Sequence, residues 1–230
     1  MSLLILLGLL AAQSASPSPA QPVSPAAAQA KDDRIDRAAE LMRDGKQAAA
    51  IAILDTKIAE FEKAHPANSE TMVFSASNLS QTIYYSGLSA ALKKSGVVLD
   101  ADWGFAYFLK GFALIDLNRS DDAFPYLDKA VALSPGDAQF LAERGEWYKT
   151  HKQWDKAFAD FKAAADASAF SDESEKAKHK ARGLRGMAYV LVEKHDLDGA
   201  EKLYKQSLEV EPGNAGAMSE LEYIKSIRRK

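Results

Sequence analysis

The chain is 230 residues long, 47% hydrophobic and 27% charged, with a formal net charge of −3 and no cysteine. Disulfides, thiolate metal sites and cysteine nucleophiles are therefore excluded, and the absence of a strongly basic segment argues against nucleic acid as a partner. A chain of this size can bury a substantial core.

The N-terminus begins with Leu3–Ala12, an apolar run of ten residues. It is too short to span a bilayer and has the length of the hydrophobic region of a secretory signal. Residues 1–15 are accordingly expected to be a signal peptide or a hydrophobic N-terminal segment, although the first thirty residues contain no charged side chain. Cleavage after Ser14, Ala15 or Ala20 would suit the small residues there. Residues 16–30, with Pro17, Pro19, Pro22 and Pro25 among Ala, Ser and Gln, read as a linker because prolines at this density sustain no helix. The expectation is export to a periplasmic or cell-envelope location, with no transmembrane span in the mature chain.

From residue 31 onward the apolar spacing is helical. Ile35, Ala38, Ala39, Leu41 and Met42, then Ile51, Leu54, Ile58 and Phe61, predict two antiparallel helices broken at Asp44-Gly45 and ended at His65-Pro66. A longer helix is predicted over Ser69–Lys94, with Met72, Leu79, Ile83, Leu88 and Leu92 as core positions and Ser95-Gly96 as its stop. Val97–Leu99 reads as an extended connector, and Asp100 or Asp102 as the next helix cap.

A repeat then sets in. Gly111 and Gly145 are 34 residues apart, as are Ala123 and Ala157, and a third copy follows after 43 with Ala188 and Ala200. Pro212-Gly213 echoes Pro135-Gly136. The first unit, 104–137, places Tyr107, Gly111 and Leu114 on one helix and Ala123, Leu127 and Ala130 on the next. The second, 138–171, repeats this with Leu141, Gly145, Tyr148, Ala157, Phe161 and Ala164; the third, 181–214, with Leu184, Ala188, Leu191, Ala200, Tyr204 and Leu208. Nine inserted residues before the third unit, within Ser171–Lys180, are expected to lengthen a helix beyond the stack. Residues 215–230, with Met218, Leu221, Ile224 and Ile227 on one face, read as a capping helix.

The large–small alternation of these three units resembles the tetratricopeptide repeat (TPR) family. The resemblance implies an all-α fold over residues 31–230, a right-handed superhelical stack of antiparallel helix pairs (a TPR-like α-solenoid) closed by the capping helix. It also implies a groove lined by outward positions of each unit's first helix. Transferred to this chain, those positions are Phe105, Phe108, Phe112 and Ile115, then Gln139, Ala142, Glu146 and Lys149, then Arg182, Arg185, Tyr189 and Val192. The groove would run from an aromatic end to an arginine end able to receive an acidic group. The three phenylalanines could instead pack on the helix expected at 69–94, and Arg182 and Arg185 could pair with Asp172, Glu173 or Glu175.

No catalytic constellation emerges. His65, His151, His179 and His195 stand alone, without a partner histidine at helical spacing, and glycine-rich phosphate loops and nucleophile elbows are absent. No metal and no cofactor is expected. The reading is a non-enzymatic adaptor or scaffold that binds a protein or peptide in its groove; the alternative is a structural or assembly subunit of a cell-envelope complex that uses its convex face or helix edges.

Overall fold

The computed structural model describes residues 32–66 and 70–229; the expected signal segment and linker lie outside the described residues. The architecture is a stack of antiparallel helix pairs. Helices α1 (Arg34–Arg43) and α2 (Gln47–Ala64) form the first pair, joined by a turn with Gly45 at φ +74°. Three further pairs follow: α4 (Asp102–Asp116) with α5 (Ser120–Leu133), α6 (Ala138–Thr150) with α7 (Trp154–Ala167), and α8 (Glu173–Glu193) with α9 (Leu197–Val210). Helix α10 (Ala215–Arg228) closes the series, burying Ala217 and Ile224.

The periodicity reaches the backbone. The turn inside each of these three pairs contains one residue in the left-handed region: Asn118 at φ 58°, Lys152 at φ 55° and His195 at φ 62°. Their spacing of 34 and then 43 matches that of the small residues.

Those small residues explain how the pairs close. A Cβ on Gly111 would lie 2.8 Å from Leu127 Cδ2, and one on Gly145 would lie 3.1 Å from the Phe161 ring. Phe161, fully buried on α7, also meets α8, where a Cβ on Gly186 would lie 2.3 Å from the ring and one on Gly183 would lie 2.6 Å from the Phe161 carbonyl oxygen. The large ring of one helix thus fills the space left by glycines on both neighbours. Arg144 on α6 grips Asp160 on α7, its partner in the pair, through two 2.8 Å hydrogen bonds, and reaches the preceding pair at Asp128 on α5 at 2.7 Å. Burial opposes the Arg144 charge, but Asp160, Tyr148 and Asp128 together outweigh it and raise the guanidinium pKa.

The segment expected as one long helix over 69–94 is different. It forms strand β1 (Thr71–Ser75), helix α3 (Leu79–Ala91) and strand β2 (Ser95–Leu99), with the strands paired in parallel from Thr71↔Ser95 to Ser75↔Leu99. The β-branched and aromatic run Thr71-Met72-Val73-Phe74 suits a strand, and Asn78 starts α3 anew by accepting from Gln81 N at 3.0 Å. Three of the core positions expected there face outward: Leu79 is 73% exposed, Ile83 63% and Leu92 53%. Gln81, Tyr85 and Ser89 are buried in their place, because the face that packs is chosen by β1 and by the first repeat. Tyr85 stacks on Phe74 at 5.0 Å and accepts from Gly136 N at 3.1 Å. Ser75 accepts from Gly104 N at 3.1 Å, while Ser134 donates to the Ser75 carbonyl at 2.7 Å.

Candidate functional site

The outward residues of α4, α6 and α8 lie along three linked cavities. The first, of about 500 Å³, contains Phe105, Phe108 and Phe112 with Gln139, and its far wall is Met42 and Arg43 of α1. Phe108 is only 4% exposed and stacks on Phe140 at 4.8 Å, whereas Phe112 is 37% exposed. Phe108 thus stacks on α6, and the hydrophobic cluster that holds it takes Val73 of the 69–94 segment but no residue of α3. A second cavity, of about 220 Å³, brings together Glu146, Lys149, Arg182, Arg185 and Tyr189 with Asn214 and Glu220. A third, of about 350 Å³, shares Phe105 and Gln139 with the first.

Arg182 links two of these. Its Nη2 donates to Glu143 Oε1 at 2.7 Å, and Glu143 borders the phenylalanine cavity. Arg185 pairs with Glu211, and Lys149 pairs with Glu146 at 2.5 Å while lying 4.7 Å from the Tyr189 ring centre. The cations expected at the acidic-ligand end are thus each held by a carboxylate of the chain itself. The pairing partners are Glu143 on α6 and Glu211 just past the end of α9, and not Asp172, Glu173 or Glu175 at the start of α8. Ala142, also among the outward positions, is buried in the core.

The third cavity was not legible from the sequence. Its walls come from the β1–α3 connection, from α6 and from the start of α8. Asp137 caps α6, accepting from Gln139 N at 2.9 Å and Phe140 N at 3.0 Å, and receives Gln81 Nε2 at 3.3 Å. Burial raises the Asp137 pKa above its ordinary value of 3.8, against these hydrogen bonds. His179, whose Nδ1 lies 2.8 Å from the Ser171 hydroxyl, has its pKa lowered from 6.5 chiefly by burial.

The inserted stretch supplies Ser171, Asp172, Glu175 and His179 to this wall. It does lengthen α8, to 21 residues, but its beginning does not simply project past the stack. Asn78 Nδ2 donates to the Phe170 carbonyl at 3.0 Å and to Asp172 Oδ1 at 3.2 Å, and Tyr84 stacks on Phe170 at 4.3 Å. The i, i+3, i+7 spacing of Asp172, Glu175 and His179 was the available signal, since it puts all three on one side of a helix.

Among the described residues, no group of three or more His, Cys, Asp or Glu is arranged to hold a metal ion, and no helix is long and apolar enough to cross a membrane.

The tetratricopeptide repeat family model matches residues 106–137, the first regular helix pair. Comparison with curated protein sequences gives no match. Among solved structures, the chain is similar to PilF of Pseudomonas aeruginosa, at 12% identity over 86% of this chain and 68% of that one, with a TM-score of 0.58. It is also similar to the nearly identical TPR-like repeats of a kinesin light chain from Podosopora anserina, at 12% identity, 85% and 93% coverage, and a TM-score of 0.50. The first TPR of Spaghetti (RPAP3), solved with an HSP90 peptide, aligns at 20% identity over 55% of this chain and 94% of that one, with a TM-score of 0.48. At these identities the likeness concerns the fold. With three helix pairs sharing one set of small residues and one left-handed turn position, and with the first of them matched by the family model, the chain contains a tetratricopeptide repeat at residues 106–137 and has the fold of a TPR-like helical stack.

Proposed function

We propose that this protein is a non-enzymatic adaptor that holds a segment of a partner protein in the groove along α4, α6 and α8. The observation that carries this reading is the linkage of the three cavities: two share Phe105 and Gln139, and the Glu143–Arg182 pair joins the phenylalanine cavity to the remaining one. A preorganised scaffold binds by lowering the ordering cost of association, with half-buried aromatics supplying contact area and charges supplying orientation. Helix-pair stacks hold such surfaces rigid, because each unit is fixed by its neighbours. Export to the cell envelope is part of the proposal and rests on the apolar run Leu3–Ala12; N-terminal sequencing of the protein from its native host tests it.

A second reading is favoured by a separate observation. Leu79, Ile83, Leu92 and Val97 are exposed on the β1–α3–β2 segment and line none of the groove cavities, as an assembly surface would require. Photo-crosslinking amino acids placed at Phe112, Gln139 and Tyr189, and in parallel at Ile83 and Leu92, separate the two. The adaptor reading expects one partner crosslinked from all three groove positions. Crosslinks confined to Ile83 and Leu92 would transfer the function to the α3 surface.

A further inference from the structure

The two-stranded sheet has one covered edge and one open edge. In a parallel pair each strand points the backbone groups of alternate residues at its neighbour. Ala76 N donates to the Leu99 carbonyl at 3.0 Å, so Leu99 and, by alternation, Val97 and Ser95 face β1. Ser75 faces the other way, where its carbonyl accepts from Ser134 Oγ at 2.7 Å and the helix stack covers that side of β1. On β2 the residues directed away from β1 are then Gly96 and Val98. Among the described residues their outward N–H and C=O groups have no hydrogen-bond partner.

The side chains along this edge are self-complementary. Ser95–Leu99 carries no charge, and Val97 is 41% exposed at its centre. A Cβ on Gly96 would lie 2.3 Å from Ser89 Oγ, so α3 sits tightly on one face of β2 and holds the strand in place. Charges stand only at the two ends, Lys93 and Lys94 before the strand and Asp100 after it. Lys94 and Asp100 are exposed, and among the described residues neither is in an ion pair; Asp100 Oδ1 accepts from Asp102 N at 3.2 Å. A lysine inside an edge strand blocks pairing, whereas opposite charges at its two ends select a direction. A second copy laid antiparallel on β2 and centred on Val97 sets Lys94 of each copy opposite Asp100 of the other. Gly96 then stands opposite Val98 in the hydrogen-bonded position, on both sides of the centre, so every outward N–H and C=O of these residues finds a partner. Val97 meets Val97 of the second copy in the non-hydrogen-bonded position, where side chains come closest.

We propose that the open edge of β2 binds β2 of a second copy of this chain, joining the two-stranded sheets of both into one four-stranded sheet. The proposal is independent of the groove along α4, α6 and α8. The contact is isologous and closes as a dimer, because the same edge serves both copies. Its two-fold axis is perpendicular to the sheet, so both α3 helices lie on one face, and a sheet of three or more strands packed by helices is the size that is stable by itself. The matching of Lys94 to Asp100 about Val97 favours a second copy over an unrelated strand, which requires no such symmetry.

The test is sedimentation velocity of the full chain over a concentration series. A monomer–dimer equilibrium is expected with a Kd between about 1 μM and 1 mM, since a single strand pair belongs to the weak class of interfaces. Val97→Lys places like charges across the axis and is expected to weaken the dimer by about tenfold or more, with the helical circular dichroism unchanged. Lys94→Glu and Asp100→Lys are each expected to weaken it by about fivefold, because each sets like charges opposite one another. An equimolar mixture of these two variants is expected to associate as the parent does, since in the heterodimer every residue 94 again faces an opposite charge at 100. Damage to the fold would not be repaired by mixing. A chain that stays monomeric up to about 1 mM overturns the proposal and leaves the edge vacant or open to a different protein. A dimer that ignores Val97→Lys and the charge exchange overturns it too, and places self-association on another surface, such as Leu79 and Ile83. Groove crosslinks at Phe112, Gln139 and Tyr189 are expected to be the same in Val97→Lys as in the parent, so the dimer and the groove reading fail separately.

Discussion

Gly183 shows how a single atom is excluded at the centre of the stack. A Cβ there would lie 2.6 Å from the Phe161 carbonyl oxygen and 2.7 Å from Ala165 N, and backbone cannot swing aside as a side chain can. Gly183→Ala is expected to lower stability by about 1–3 kcal/mol, whereas Gly87→Ala on α3, where a Cβ meets nothing within 4 Å, is expected to raise it by about 0.5–1 kcal/mol; urea denaturation of both variants checks the contrast. Asp137 is legible in the sequence as a helix cap, but its burial is a property of the fold. Because burial raises its pKa above 3.8, the folded chain keeps that proton to higher pH than the unfolded chain does. Ionised Asp137 therefore costs stability above its folded pKa, and the cost disappears as pH falls to 3.8. Asn keeps the cap through its Oδ1 but its Nδ2 cannot accept from Gln81 Nε2, so Asp137→Asn trades that hydrogen bond for removal of the charge, and its stability relative to the parent is expected to be higher near pH 7 than near pH 4. His179, present in both proteins, works with the opposite sign: its folded pKa is below 6.5, so the unfolded chain takes up the proton first and stability falls as pH drops under that value. Urea midpoints of the pair across this range measure the difference.

At the scale of elements, the regular helix pairs were readable because each obeys its own period and its own turn. The segment 69–94 was misread for a related reason: Leu79, Ile83, Leu88 and Leu92 do have helical spacing, but α3 turns Gln81, Tyr85 and Ser89 inward instead. Two signals pointed to the observed structure. One is Asn78 with Gln81 three residues later, a helix start in the middle of the presumed helix; the other is the pair of strand-forming runs at Thr71–Phe74, with Thr71, Val73 and Phe74, and at Val97-Val98. A parallel two-stranded sheet is too small to stand alone, so this segment depends on what fastens it. Asn78 both caps α3 and ties it to Phe170 and Asp172. Asn78→Ala is expected to cost about 1–2 kcal/mol, and hydrogen exchange should accelerate across 71–99 while α6 and α7 keep their protection.

Across the whole molecule, stability is transmitted from each helix pair to the next, so damage at one end should remain local. Ile224 is fully buried among Ala188, Ala200 and Tyr204, and Ile224→Ala is expected to cost about 2–4 kcal/mol, with faster hydrogen exchange in α9 and α10 and little change in α1 and α2. The sequence by itself determined the helix pairs, their small-for-large contacts and the turns between them, because these depend on neighbours at most a few tens of residues apart and recur with one period. Of the outward positions that the family resemblance nominates, Phe105, Phe108, Phe112, Gln139, Glu146, Lys149, Arg182, Arg185 and Tyr189 border cavities, whereas Ala142 is buried. Tertiary structure decided the rest. Only folding pairs Arg182 with Glu143 and Arg185 with Glu211, and only folding brings Asn78 to Phe170 and Asp172, more than ninety residues away. The polarity of the groove is set by those long-range pairings. A charge's availability to a partner depends on which opposite charge the fold has already placed beside it, and no local spacing encodes that.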